Sequence, residues 1–331
     1  MQAMRLHEQK PIEEKPLRYE EIAQLQAGSG ELLVKVSVCG ICHTDLHTVE
    51  GDITPPDLPV TPGHQAVGEV VGIGAEVNGW SKGDRIGIPW LYSADDTCEF
   101  CQRGQENLCP NAKFTGFDRD GGYAEYMLAD PAYALKIPDG IEDVAAAPLL
   151  CAGIIGYRSL RLADLQKGER LGLVGFGASA HLAIQVALYW DCEVYVFTRS
   201  EGHRKLAREL GAHWVGGAED DQPGLLDRAV IFAPAGHLVP TILAKLRPAG
   251  TLAINAIYMS PIPEMQYELI YEERTLRSVT NLTHQDGVEF LKLAGEIPVR
   301  SETTVYPLEE ANQALIELKN SAIDGAGVLQ I

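Results

Sequence analysis

Seven cysteines are spread over 331 residues, and their spacing sorts them by the chemistry they could do. Three form the run Cys98-x2-Cys101-x7-Cys109, thiolates near enough along the chain to share one cation. A second set is dispersed: Cys39 and Cys42 bracket Gly40-Ile41, His64 follows Pro62-Gly63, and Cys151 follows Pro148-Leu149-Leu150. Cys42, with Cys39 as its competitor, joins His64 and Cys151 to give two sulfurs and one imidazole, a borderline-soft set that suits zinc. Three protein ligands leave a fourth position for water or substrate, the pattern of a catalytic zinc, whereas four ligands close a structural one. Each candidate sits where a strand or helix gives way to a turn, so the chain can bring them together.

A different chemistry lies downstream. Gly175-Phe176-Gly177-Ala178-Ser179-Ala180 follows the apolar strand at Leu171 and opens a helix, as a pyrophosphate-binding turn requires. Gly175 permits the tight turn, Gly177 admits phosphate to the backbone, and the small Ala180 lets helix and strand pack closely. The helix N-terminus then meets the phosphate charge. The next strand ends in Thr198-Arg199-Ser200 with Arg204 close behind, and no carboxylate stands where an NAD-binding fold holds the ribose hydroxyls. Hydroxyls and a guanidinium suit a 2′-phosphate, so NADP(H) is favoured over NAD(H).

These groups need two kinds of scaffold. Up to about residue 148 the chain reads as β-rich, with strands at Leu32–Val38, Ala66–Gly74 and Gly83–Ile88, Gly/Pro-rich connections and no long helical period. After Cys151, strands and helices alternate: Leu171–Gly175, Ala178–Tyr189, Glu193–Phe197, Arg204–Leu210, Arg228–Phe232, Val239–Leu246 and Thr251–Ala256. That alternation predicts a parallel sheet with helices against it, an α/β fold class. Beyond Asn281 come a helix near Gly287–Ala294, a strand at Thr303–Val305, a helix at Leu308–Lys319 and a strand at Ala326–Ile331. These last pieces either extend the parallel sheet or return to the first lobe.

Composition excludes other classes. A net charge of −19 repels nucleic acid and anionic membrane surfaces, so neither is an expected partner. No apolar run approaches the roughly 20 residues of a membrane span, and Met1-Gln2-Ala3-Met4-Arg5 does not open a signal peptide. Paired Cys-x2-Cys without a signal reads as metal thiolate in a reducing cytoplasm.

The runs Gly40-Ile41-Cys42-His43-Thr44-Asp45-Leu46-His47, Pro62-Gly63-His64, Gly83-Asp84-Arg85-Ile86-Gly87 and Pro148-Leu149-Leu150-Cys151-Ala152-Gly153, with the glycine turn, resemble zinc-dependent alcohol dehydrogenases of the medium-chain dehydrogenase/reductase family. The resemblance covers essentially the whole chain. It implies a chaperonin-10-like (GroES-like) catalytic domain from 1–148 and 282–331, and a Rossmann domain from 149–281. It places the catalytic ligand directly before His-Thr-Asp, hence Cys42 rather than Cys39, with Asp45 accepting a hydrogen bond from a ligand histidine.

The resemblance further implies that Thr44 takes the alcohol proton and passes it through the nicotinamide ribose to His47. His43 would touch the pyrophosphate, and Trp90 would wall the pocket in favour of primary alcohols and aldehydes. A homo-oligomer, dimer or tetramer, is expected. Two positions depart from the family pattern: Gln65 replaces a glutamate, and Asp95 replaces the first cysteine of the structural set Asp95, Cys98, Cys101 and Cys109. Two alternatives stand beside this reading. A zinc polyol or sugar dehydrogenase would need a polar pocket, against Ile53, Trp90, Ile155 and Ile257. A zinc-binding protein without turnover would have no use for Thr44 and His47.

Overall fold

The computed structural model describes residues 1–297, 299–323 and 325–331, and the counts below are of those residues. They form two compact units, Met1–Cys151 with Asn281–Ile331, and Ala152–Thr280. The expected boundaries at 148/149 and 281/282 thus fall at Cys151/Ala152 and Thr280/Asn281. The 3-10 turn Ala147–Leu150 is buried, and Leu150 lies so close to Gly87 that a side chain there would strike it. This packing carries Cys151 into the first unit.

The first unit is built around the strand Leu32–Ile41, which pairs antiparallel with Ala66–Ile73, Ala326–Gln330 and Tyr126–Ala129. The sheet continues through Arg85–Ile88 to Leu135–Lys136 on one side, and through Thr303–Pro307 on the other. Leu32, Val34 and Val36 face the core together with Val70, Ile86, Met127 and Leu329. Lys35, between two of those valines, is exposed opposite Glu69, a cross-strand pair of opposite charge. The terminal segment therefore returns to this unit. Its strand also explains why Leu32–Ile41 outruns the expected end at Val38: Cys39, Gly40 and Ile41 pair with Leu329, Val328 and Gly327. The strand consequently stops at the residue before Cys42.

The second unit is a six-stranded parallel sheet. In space its strands run Trp214–Gly216, Glu193–Phe197, Arg170–Val174, Leu226–Ile231, Leu246–Ile254 and Thr275–Ser278, the order 3-2-1-4-5-6 of a doubly wound dinucleotide fold. The chain order reverses between Arg170–Val174 and Leu226–Ile231, and ligands bind at the carboxyl ends beside such a reversal. Ala178–Tyr189 and Glu193–Phe197 have the expected ends, whereas the Glu201–Glu209 helix starts three residues early because Ser200 Oγ caps the His203 N–H. Thr275–Ser278, an edge strand with all four residues exposed, carries no apolar alternation and was invisible to pattern reading. No single helix among the described residues is long and apolar enough to cross a membrane.

Candidate active site

Cys42 leaves the central strand in extended conformation and caps the helix His43–Glu50. Its Sγ accepts the Thr44 N–H at 3.3 Å, while Asp45 Oδ2 accepts the Cys42 N–H at 2.9 Å. The other Asp45 oxygen accepts the Gly63 N–H and the His64 Nδ1–H, each at 3.1 Å. One carboxylate, 2% exposed, thus ties the strand end to the turn carrying His64. That turn needs glycine: Gly63 has φ +100°, and a Cβ would overlap the Tyr123 ring. With Nδ1 committed to Asp45, His64 presents Nε2, which lies 3.2 Å from Cys42 Sγ.

Cys151 completes the group, and the three ligand atoms of Cys42, His64 and Cys151 lie within 4.8 Å of one another. The Cys42 thiol is held well below its ordinary range by a hydrogen bond from Cys151, against burial and with help from His64. Cys151 rises well above its own, because it donates that bond and is buried. Two thiols and an imidazole gathered in this way are a donor set that fits zinc, whose binding would displace their protons. Cys39 stands outside the group, fully buried, with its thiol 3.6 Å from the Gly40 carbonyl. Gln65 is 2% exposed, packs against Gly40, and leaves Nε2 without a partner.

An aromatic wall flanks His64. Trp90 meets its ring edge-on at 4.9 Å, stacks on Phe114 at 5.0 Å, and tilts toward Phe117 at 5.9 Å. Thr44 and His47 lie three residues apart on the first turns of the His43–Glu50 helix, hence on one face. The His43 ring sits 6.3 Å from that of His47, and burial lowers the His43 pKa.

A second cluster joins Asp95, Cys98, Cys101 and Cys109, again within 4.8 Å. Asp95 Oδ1 accepts the N–H groups of Thr97 and Cys98, and Oδ2 accepts Asn111 Nδ2, all at 2.9 Å. These bonds, Asn111 first, hold its carboxyl far below the usual range. Burial and the neighbouring Cys98 and Cys109 push the Cys101 thiol up to about 12. A fixed carboxylate gathered with three thiols fits a four-ligand cation site.

The second unit carries the glycine turn. Gly175 has φ +85° and a Cβ there would stand 2.9 Å from the Ala233 nitrogen, so no other residue fits. Gly177 caps the Ala178–Tyr189 helix without a side-chain bond, and the space where its Cβ would be is open. Ala180 is fully buried. His181, 1% exposed, has both ring nitrogens without a partner, and burial lowers its pKa to about 4. Open space, uncapped N–H groups and an orphaned imidazole together fit a bound phosphate. At the next strand end Thr198 is buried, Ser200 caps its helix, and Arg199 is exposed. Arg204 is already engaged, donating to the Thr198 carbonyl and to Glu201 Oε1 at 2.9 Å each.

Comparison with known proteins places this geometry. The family "Alcohol dehydrogenase GroES-like domain" matches residues 28–139. A probable alcohol dehydrogenase, AdhA, of Mycobacterium tuberculosis is 44% identical, covering 100% of this chain and 97% of that protein. The chain belongs to the zinc-dependent alcohol dehydrogenases of the medium-chain family. An alcohol dehydrogenase of Geobacillus stearothermophilus is 35% identical over 96% of both chains. The crystal structure of the alcohol dehydrogenase of Aeropyrum pernix superposes with a TM-score of 0.89 at 30% identity, covering 100% of both chains. The protein is accordingly an oxidoreductase of the alcohol dehydrogenase type.

Within this dehydrogenase, sequence reading named Trp90 but missed Phe114 and Phe117. The spacing Phe114-x2-Phe117 in a Gly/Asp-rich loop was the available signal. It also missed Asp52 beside His47 and the buried His181, neither of which follows a recognisable spacing.

Proposed function

We propose that this alcohol dehydrogenase interconverts primary alcohols and aldehydes with NADP(H), using a zinc held by Cys42, His64 and Cys151. The observation that carries the reading is the convergence of those three ligand atoms beside the Thr44–His47 helix face. When bound, zinc supplies Lewis-acid polarisation of the alcohol oxygen, and the dinucleotide supplies the hydride acceptor. The protein's own groups do the rest. Asp45 fixes the tautomer and orientation of His64. Thr44 Oγ accepts the alcohol proton and His47, one helical turn on, releases it to water. Trp90, stacked on Phe114, narrows the space beside His64 and favours unbranched substrates.

Asp95, Cys98, Cys101 and Cys109 would hold a second, structural zinc. Gly175, Gly177 and Ala180 would cradle the pyrophosphate. Thr198, Arg199 and Ser200 would meet the 2′-phosphate, with Arg204 bracing their loop through the Thr198 carbonyl. A second copy of the chain is the partner for the exposed edge strand Thr275–Ser278, since an uncovered edge invites a matching strand. Sedimentation should find a dimer or tetramer, and a monomer would sink that part.

The deciding experiment is a steady-state assay with NADPH and NADH against a panel of alcohols and aldehydes. The parent should prefer NADPH in kcat/KM, and Thr198→Asp should reverse the ratio. Charge-assisted bonds to phosphate are worth roughly 1.5–3 kcal/mol, so Arg199→Ala should weaken NADPH about tenfold or more. A parent ratio below one would sink the coenzyme assignment, and turnover confined to polyols would sink the substrate assignment.

A further inference from the structure

His47 closes the proposed proton path, and its side chain is 19% exposed. Its Nδ1 lies 2.7 Å from Asp52 Oδ2. At neutral pH a carboxylate only accepts hydrogen bonds, so this contact places the proton on Nδ1 and leaves the lone pair on Nε2. We infer that Asp52 is a positioning residue that fixes His47 as the Nδ1–H tautomer and so presents Nε2 as the base of the relay. The inference rests on the reading of Thr44 and His47 as that relay.

The local chain is built to hold the pair. Gly51, in left-handed conformation at φ +92°, ends the helix and donates its N–H to the His47 carbonyl at 3.1 Å. Ile53 donates to the same carbonyl at 3.3 Å, so the loop curls back over His47 with Asp52 between the two anchors. Gln9 Nε2 clamps the loop from outside, donating to the carbonyls of Thr48 at 2.6 Å and Ile53 at 2.8 Å. The other charged groups around the helix are engaged differently. Glu50 accepts from the Ile12 N–H and from Lys319, which also binds Glu13, and the His43 ring lies 6.3 Å from that of His47, tilted by 41°. The Asp52 side chain is 55% exposed, and an ion pair that open adds little to stability. Its geometry therefore has more bearing on the imidazole than on the fold.

The protons balance. In oxidation the substrate hydroxyl proton arrives through Thr44 at Nε2, giving an imidazolium with both nitrogens protonated and its charge facing Asp52. Loss of the Nε2 proton to water restores the starting tautomer, and aldehyde reduction runs the same transfers backward.

The test uses the zinc-loaded full-length enzyme labelled with 15N-histidine, at a pH alkaline enough for a neutral ring. Long-range 1H–15N spectra should show His47 as the Nδ1–H tautomer in the parent. In Asp52→Ala the Nε2–H form should gain, with kcat down about tenfold while KM and zinc content hold. Asp52→Glu should restore part of both, and Asp52→Leu, which fills the volume without an acceptor, serves if the alanine variant folds poorly. An unchanged tautomer in Asp52→Ala overturns the inference, as does a changed tautomer with unchanged kcat. His47→Gln separates the two layers: if it leaves kcat intact, the relay reading itself fails, whatever the tautomer shows.

Discussion

The first unit carries two clusters of candidate metal ligands in opposite settings. Cys42, His64 and Cys151 surround a pocket whose histidine is 1% exposed, with an aromatic wall on one flank. Asp95, Cys98, Cys101 and Cys109 ride on a loop whose ligands, apart from Cys109, are half-buried. The former draws its ligands from three distant chain segments, the latter from fifteen consecutive positions. On the proposed reading, the contrast separates two uses of one cation. A set gathered from afar with three ligands needs the whole fold to exist and leaves room for a reactant; a local set with four ligands closes a loop and leaves none.

Substitution at the buried cluster should do the greatest damage. Cys42→Ser or Cys151→Ser removes a thiolate from the open site, and polarisation there is worth several kcal/mol, so kcat should fall by about a thousandfold. Metal analysis should show one zinc lost while circular dichroism stays near the parent. Near-full activity in Cys42→Ser would shift the ligand to Cys39 and break the comparison at its root. Asp45→Asn comes next. It keeps the shape but weakens the hold on His64 Nδ1, and zinc affinity measured against a competing chelator should drop by about 10–100-fold. No change would mean that the Gly63 turn alone positions the imidazole.

The surface cluster should answer in stability rather than rate. Asp95→Ala opens a four-ligand site, and the parent's roughly two zinc per chain should fall by one. For a change of about 2 kcal/mol the melting temperature should drop by roughly 4–8 °C, with kcat at ambient temperature within about twofold of the parent. A parent that holds one zinc, with Asp95→Ala indistinguishable from it, would leave the second cluster as three bystander thiols and an Asx-type loop.

Residue type made much of this legible. Cys42, His64 and Cys151 could be picked out because few other residues do that chemistry, although more than a hundred positions separate the first from the last. The glycine turn was readable because Gly175 must take a positive φ against Ala233. What escaped depended on partners far along the chain or on none. The strand end at Ile41 is set by pairing to Gly327, which no local window contains. Thr275–Ser278 is exposed on every residue and so wears no amphipathic pattern. Phe114 and Phe117 acquire meaning only through Trp90, and Asp52 only through the curl that Gly51 imposes.

The pairing of Cys39–Ile41 with Gly327–Leu329 also sets a timetable for biosynthesis. The contiguous segment 152–280 leaves the ribosome whole and can fold as a unit while translation continues. The platform that ends at Cys42 cannot close until residues near 330 emerge, some three hundred positions after its first strand was made. Until that segment emerges, the nascent chain carries Cys42 without the strand pairing that fixes the residues just before it.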